Sequence, residues 1–192
     1  MGYPTIFPTG TLKYDNKKAW SGYTLFPSAR GALLIDMNGN EVQRWAGLDG
    51  FPNKLLPGGY VLGTSGRRKS KYAYQDQLDL IQVDWDGKIV WKFDHTEEIC
   101  DDGRTKTWQA RQHHDYQREG SSVGYYAPSA EPKVENGNTL LLVHENVRNK
   151  DISDKLLIDD KIIEVDWEGN ILWSWRASDH FEELGFDETA RN

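Results

Sequence analysis

The sequence predicts an all-β protein of β-propeller type. Three observations carry that reading: a hairpin motif that occurs three times, a second motif that precedes two of the copies at nearly equal distance, and tryptophans that recur at fixed places in the repeat.

The three copies align without gaps on a glycine. They are Leu33-Leu34-Ile35-Asp36-Met37-Asn38-Gly39, Ile81-Gln82-Val83-Asp84-Trp85-Asp86-Gly87 and Ile163-Glu164-Val165-Asp166-Trp167-Glu168-Gly169. An aspartate stands three residues before each glycine. After it, Ile89, Trp91 and Phe93, or Ile171, Trp173 and Trp175, alternate with more polar or smaller residues, which is the period of a strand. Asn38-Gly39 and Asp86-Gly87 lie between two such runs, where a turn needs positive φ and glycine adopts it without strain. Hairpins are therefore expected near 31–47, 78–95 and 161–177. Trp91, Trp173 and Trp175 are expected to pack sheet against sheet.

The second motif is Leu56-Pro57-Gly58-Gly59-Tyr60-Val61-Leu62 and Glu135-Asn136-Gly137-Asn138-Thr139-Leu140-Leu141. Its glycine lies 29 or 32 residues before the next hairpin glycine, as in one four-stranded unit used twice. Gly39 and Gly87 are 48 residues apart, close to the ~40–50 residues of a propeller blade. The interval from Gly87 to Gly169 is longer, and an insertion over 96–131 accounts for it.

The whole of 1–192 then reads as one partial propeller domain, roughly the first half of a ring. It has about two full units and a leading partial one, in which Gly22 to Phe26 supplies one strand and Leu33 to Trp45 two more. A propeller closes with about four to eight blades, so a second polypeptide or a C-terminal half is the expected completing partner. After the last hairpin, Asp179 is placed to cap a short helix through Phe181 and Leu184.

Composition limits the partners. A formal net charge of −7 and an isoelectric point near 5.2 leave no extended basic field for nucleic acid or an anionic membrane surface. No stretch approaches the roughly 20 apolar residues of a membrane span, and the first residues do not read as a signal peptide. The expectation is a cytoplasmic protein, or a periplasmic one if a leader has been removed. Cys100, the single cysteine, sits among Glu97, Glu98, Asp101 and Asp102, which should raise its pKa and leave it inert.

The residues that carry chemistry concentrate in the insertion, in Arg111-Gln112-His113-His114-Asp115-Tyr116-Gln117-Arg118, followed by Tyr125-Tyr126. Imidazole, guanidinium and phenol groups together suit an anionic aromatic ligand. On a strand, His113 and His114 point to opposite faces, so only one of them can face a given pocket. His144 falls where the next strand meets a loop. The catalytic candidates are His114, His113 and His144; the alternative for each is a satisfied core or loop histidine. His95 and His180, just after hairpin ends, are lesser candidates. Arg111, Arg118 and Tyr125 are the candidate substrate contacts. The arginines could instead pair with Glu119 or Asp115, and the tyrosines could merely pack. Arg67-Arg68-Lys69-Ser70-Lys71 reads as a solvated loop. Two or three histidines could bind a metal, but no His-x-x-x-His or Cys-x-x-Cys spacing marks a site; no Gly-x-Ser-x-Gly elbow or phosphate-binding glycine loop occurs either, so no metal site and no cofactor is assigned.

Three stretches resemble the bacterial aryl-sulfate sulfotransferases: Val83 to Trp91, Gly22 to Phe26 with Leu34 to Gly39, and His113 to Gln117 followed by Asn136 to Leu140. The resemblance runs over about Trp20 to Trp175. It implies a six-bladed propeller that moves a sulfuryl group from a phenolic sulfate ester to another phenol, through a sulfated histidine and without a nucleotide donor. It also implies that this histidine and the principal arginine belong to later blades, with His114, His113 and His144 lining the first part of the site. Two other readings stay open on the residues alone, a quinone-dependent dehydrogenase and a non-catalytic binding scaffold.

Overall fold

The structure, a computed structural model, describes residues 11–68, 76–121, 130–187 and 189. The first sheet contains β1 (Thr24–Ser28), β2 (Gly31–Ile35) and β3 (Glu41–Trp45). The second contains β4 (Asp49–Leu56), β5 (Tyr60–Thr64), β6 (Leu80–Val83) and β7 (Ile89–Phe93). A ribbon of β8 (Glu97–Ile99) and β9 (Thr107–Gln109) follows, then a third sheet of β10 (Gln112–Arg118), β11 (Thr139–Val147), β12 (Leu157–Val165) and β13 (Ile171–Arg176). Every pairing between these strands is antiparallel, neighbours in the chain are neighbours in the sheet, and no sheet closes on itself. The fold is all-β, as the period of two predicts.

The repeated aspartate has a direct physical role. In β2–β3, Asp36 Oδ1 accepts the N–H of Asn38 and Asn40 at 2.8 and 2.9 Å, while the Gly39 N–H returns to the Asp36 carbonyl at 3.0 Å. Asp84 makes the same bonds to Asp86, Lys88 and Gly87. Asp166 accepts from Asn170 at 2.7 Å and receives Gly169. Each aspartate thus satisfies the donors that the turn leaves over, and the hydrogen bonds from Asn40 and Asn170 hold the Asp36 and Asp166 carboxyls below the usual range. The glycines have φ of 83°, 83° and 87°, which a side chain would oppose.

The sheets pack face to face. Ala32, Leu34 and Trp45 of the first meet Val61, Ile81 and Val83 of the second. On the other face Leu62, Leu80, Trp91 and Phe93 meet Tyr116, Leu141, Val143 and Ile163 of the third. Covered on both sides, β6 is buried at every residue, including Gln82, whose Nε2 donates to the Val134 carbonyl at 2.9 Å.

Specific hydrogen bonds join the sheets. Gln43 Nε2 donates to the Trp85 carbonyl at 2.8 Å, and Trp91 Nε1 to the Trp167 carbonyl at 2.8 Å. Donor and acceptor occupy the same repeat positions in both cases: four residues after one hairpin glycine, and two before the glycine of the next.

Three expectations are revised. Trp91 is buried, but Trp173 is 49% exposed and Trp175 half-buried, because no described sheet lies against the face of β13 that corresponds to the covered face of β7. Residues 96–131 hold more than an insertion: β8–β9 is extra, whereas β10 is the first strand of the third sheet. Asp179 lies inside a 3-10 turn, Ala177–His180, whose N-cap is Arg176 with no side-chain cap.

Candidate functional site

The site lies where β10 begins. From Gln112 opposite Val143 the register jumps to Tyr116 opposite Leu141, so the stretch between bulges out of the ladder. Arg111 and His114 have φ of 50° and 59°, a left-handed conformation that costs a non-glycine residue about 1–2 kcal/mol. His113 turns in, 2% exposed, and His114 turns out, but burial does not alternate within the bulge: Gln112 is buried beside His113, and Asp115 is exposed beside His114. The bulge nonetheless brings the two together, with their Nδ1 atoms 2.7 Å apart and their rings edge to face.

His144, on β11, stacks on His113 with ring centroids 3.7 Å apart and planes 19° from parallel. Its backbone N–H donates to the Arg111 carbonyl at 3.0 Å. Its cross-strand neighbour is Asp160 on β12, and Asp160 Oδ1 stands 3.4 Å from His144 Nε2 and 3.3 Å from His113 Nε2. The three sequence candidates therefore form one cluster, and the stacked members are the buried His113 and the half-buried His144 rather than His114.

Behind the pair lies a buried carboxylate. Asp76, in the connection from β5 to β6, meets His144 Nδ1 with Oδ1 and accepts from Arg111 Nε at 2.8 Å and Arg68 Nη1 at 3.0 Å with Oδ2. Burial pushes the Asp76 carboxyl up, but the hydrogen bonds from His144 and Arg111 outweigh it and hold it at about 2. Burial, and then the nearby His144, lower His113 from 6.5 to about 4, so it is uncharged near neutral pH.

Arg111 is fully buried, and its ion pairs are with Asp76 and Glu97, not with Glu119 or Asp115. Glu97, at the start of β8, also accepts the Asn146 N–H at 3.1 Å. The extra ribbon thus closes the charge network around the histidines. Arg68, read as part of a solvated loop, instead pairs with Asp76 and Asp101. Arg118 is not brought to the cluster. It lies at the far end of β10, its guanidinium 4.7 Å from the Trp91 ring and 5.0 Å from the Trp167 ring. No described group accepts a hydrogen bond from its guanidinium nitrogens, and burial lowers it to about 10. Tyr125 and Tyr126 lie outside the described residues. His95 pairs with Asp94, and His180 lies 3.2 Å from Glu183.

Asp160 also borders a cleft of about 400 Å³, lined further by Lys155, Leu157, Ile158, Phe181 and Phe186. The last two rings stack at 4.7 Å. This volume suits a small aromatic ligand.

Sequence reasoning missed Asp76, Asp160 and Glu97. Asp76 and Glu97 lie outside the repeat and carry no motif, and Asp160 is found only once the β11–β12 register is known.

Among the described residues, no helix is long and apolar enough to cross a membrane. No curated protein and no solved structure matches the chain. A family match does exist: residues 130–190, which carry His144, Asp160 and the third hairpin, match the model of the arylsulfotransferase (ASST) family, in agreement with the resemblance read from the residues.

Proposed function

We propose that the chain forms part of an arylsulfotransferase-type enzyme, which moves a sulfuryl group between phenolic compounds without a nucleotide donor. The observation that carries the reading is the His113–His144 pair, backed by Asp76 and adjoining an aryl-sized cleft through Asp160. The family match over 130–190 supports it independently.

With Nδ1 committed to Asp76, His144 keeps Nε2 for the substrate. In this reading it takes the proton of the attacking phenol, or returns one to the leaving phenolate, while Asp76 fixes its tautomer and balances the imidazolium. His113 supplies a neutral second imidazole. Arg111, whose pairing with Asp76 and Glu97 occupies it, is a positioning residue here rather than a substrate contact. The sulfated histidine and the arginine that faces the sulfuryl oxygens are assigned to later blades of a six-bladed ring, on a second polypeptide or a C-terminal half. The exposed outer face of β13 supports that assignment, because its Trp173 stands where Trp91 meets the next sheet.

The test is release of p-nitrophenolate from p-nitrophenyl sulfate, with a phenol acceptor, by the chain assembled with its completing blades. His144→Ala is expected to lower kcat by about 10²–10⁴-fold, and His114→Ala by less. Unchanged turnover in His144→Ala would overturn the reading.

A further inference from the structure

One row of side chains crosses each sheet at the same place in the repeat. Cross-strand register sets it as Leu25, Leu34 and Gln43 in the first sheet, Leu62, Gln82 and Trp91 in the second, and Leu140, Glu164 and Trp173 in the third. The first two rows end in a side-chain N–H that donates to the next sheet, Gln43 to the Trp85 carbonyl and Trp91 to the Trp167 carbonyl. Trp173 Nε1 takes that place in the third row. Leu62 and Gln82 are 0% exposed, whereas Leu140 is 43% exposed. The third row is therefore built like the second and lacks a cover among the described residues.

The middle of the row changes in charge from Leu34 to Gln82 to Glu164. Around Gln82 the joint is polar but incomplete. Its Nε2 donates to the Val134 carbonyl at 2.9 Å, while its Oε1 is buried without a partner. The third sheet sets Arg118 in the same joint, with the guanidinium 4.7 Å from the ring of Trp91, the cross-strand neighbour of Gln82. None of its nitrogens finds an acceptor. A carboxylate at the Gln82 position is the complement of such a guanidinium, because a desolvated arginine needs a charged acceptor. The third row has that carboxylate in Glu164. Its Oε1 accepts from Asn138 Nδ2 at 2.8 Å, and among the described residues no cation pairs with it.

We propose that the row of Leu140, Glu164 and Trp173 docks a further sheet of the same repeat, which sets a turn carbonyl on Trp173 Nε1 and an arginine, at the place Arg118 holds in the third sheet, on Glu164. This rests on the reading that further blades complete the chain and names the chemistry that recognises them; it does not rest on sulfuryl transfer. A second copy of this chain does not fit. The carbonyl that its first sheet would offer, that of Met37, accepts from Thr11 Oγ1 at 3.2 Å. That sheet has three described strands and none at the place of β10, so no described residue stands where Arg118 does.

The experiment supplies a defined sheet. Residues 96–192 include the sheet that covers the equivalent face of the second, so a second copy of them is joined after Asn192 of the full chain, with Trp173→Phe in the added copy. Oxidation by N-bromosuccinimide, read at Trp173 by peptide mass spectrometry, then reports the face of the first copy. The added sheet is expected to slow it at least tenfold relative to the unextended chain. Glu164→Gln in the first copy, or Arg118→Leu in the added one, lowers that protection about tenfold, and the two together lower it no further. In the chain assembled with its completing blades, Glu164→Gln weakens association by a similar factor in sedimentation, a measurement that needs no turnover. Oxidation as fast as in the unextended chain, full protection in Glu164→Gln, additive losses, or unchanged association of Glu164→Gln with the completing blades would each overturn the proposal. Oxidation of the unextended chain that slows as its concentration rises would overturn the occupant, since a second copy would then cover the face.

Discussion

Trp91 and Trp173 occupy the same position in two copies of one repeat, four residues after the hairpin glycine, yet they meet opposite fates. Trp91 is 6% exposed, stacks on Trp167 and donates to its carbonyl. Trp173 is 49% exposed. The local sequence sets the strand, the turn and the direction of the ring in both. What differs is whether another hairpin lies against that face. A repeat of this kind encodes half of a joint, and burial follows only when the other half is present.

The largest effect that can break this comparison is on stability. Trp91→Ala is expected to cost about 3–5 kcal/mol in urea denaturation, as for a large buried aromatic ring. Trp173→Ala should stay near 0.5 kcal/mol, as for a surface change. Equal losses would mean that the outer face of β13 is covered in solution, and a loss at Trp173 that appears only with the completing blades would sharpen the joint into an assembly contact.

The joint between the second and third sheets also has a charged part, where Asp76 of one meets His144 of the other. Its pH dependence follows from His113 and Asp76. Native His113 titrates at about 4 and an unfolded histidine at 6.5, so between these values the unfolded chain binds more protons and stability rises with pH. This contribution is complete above about pH 6.5 and is lost as the pH falls towards 4. Asp76, held at about 2 against an ordinary 3.8, adds a second loss between those two values. The urea midpoint should therefore fall on acidification from pH 6.5 to 4, and His113→Gln should flatten that slope. A midpoint constant over this range would contradict the burial of His113.

The smallest effect concerns the turn. At Gly87 an added Cβ meets nothing within 4 Å, so Gly87→Ala tests positive φ alone and should cost about 1 kcal/mol. At Gly31 the Cβ would lie 2.2 Å from the Trp45 carbonyl oxygen, and Gly31→Ala should cost distinctly more. Comparing the two separates turn strain from packing within the sheets.

These contrasts also explain which features the sequence discloses. The hairpins are readable because alternation and an Asp-x-x-Gly turn are local signals, each complete within about a dozen residues. The fate of Trp173 is not readable, because burial is a property of the neighbouring sheet. At the site, His113 and His144 stand out as residue types. Their stacking depends on a bulge in β10 and on the β11–β12 register, which spans the loop at 148–156. Asp76 and Glu97 reach the cluster from another sheet and from the extra ribbon, a long-range coincidence with no periodic trace. The left-handed Arg111 and His114 go further and break the local rule, since neither residue type announces positive φ.

The Trp91–Trp167 stack has one more consequence. Its two indoles belong to different sheets and lie 5.9 Å apart, 26° from parallel. Their electronic transitions couple at this distance, and the joint therefore has a near-ultraviolet circular dichroism signature distinct from the far-ultraviolet signal of the strands. Separation of the second sheet from the third would erase the first signal and spare the second. Blade docking and strand formation can thus be timed separately in the unlabelled protein.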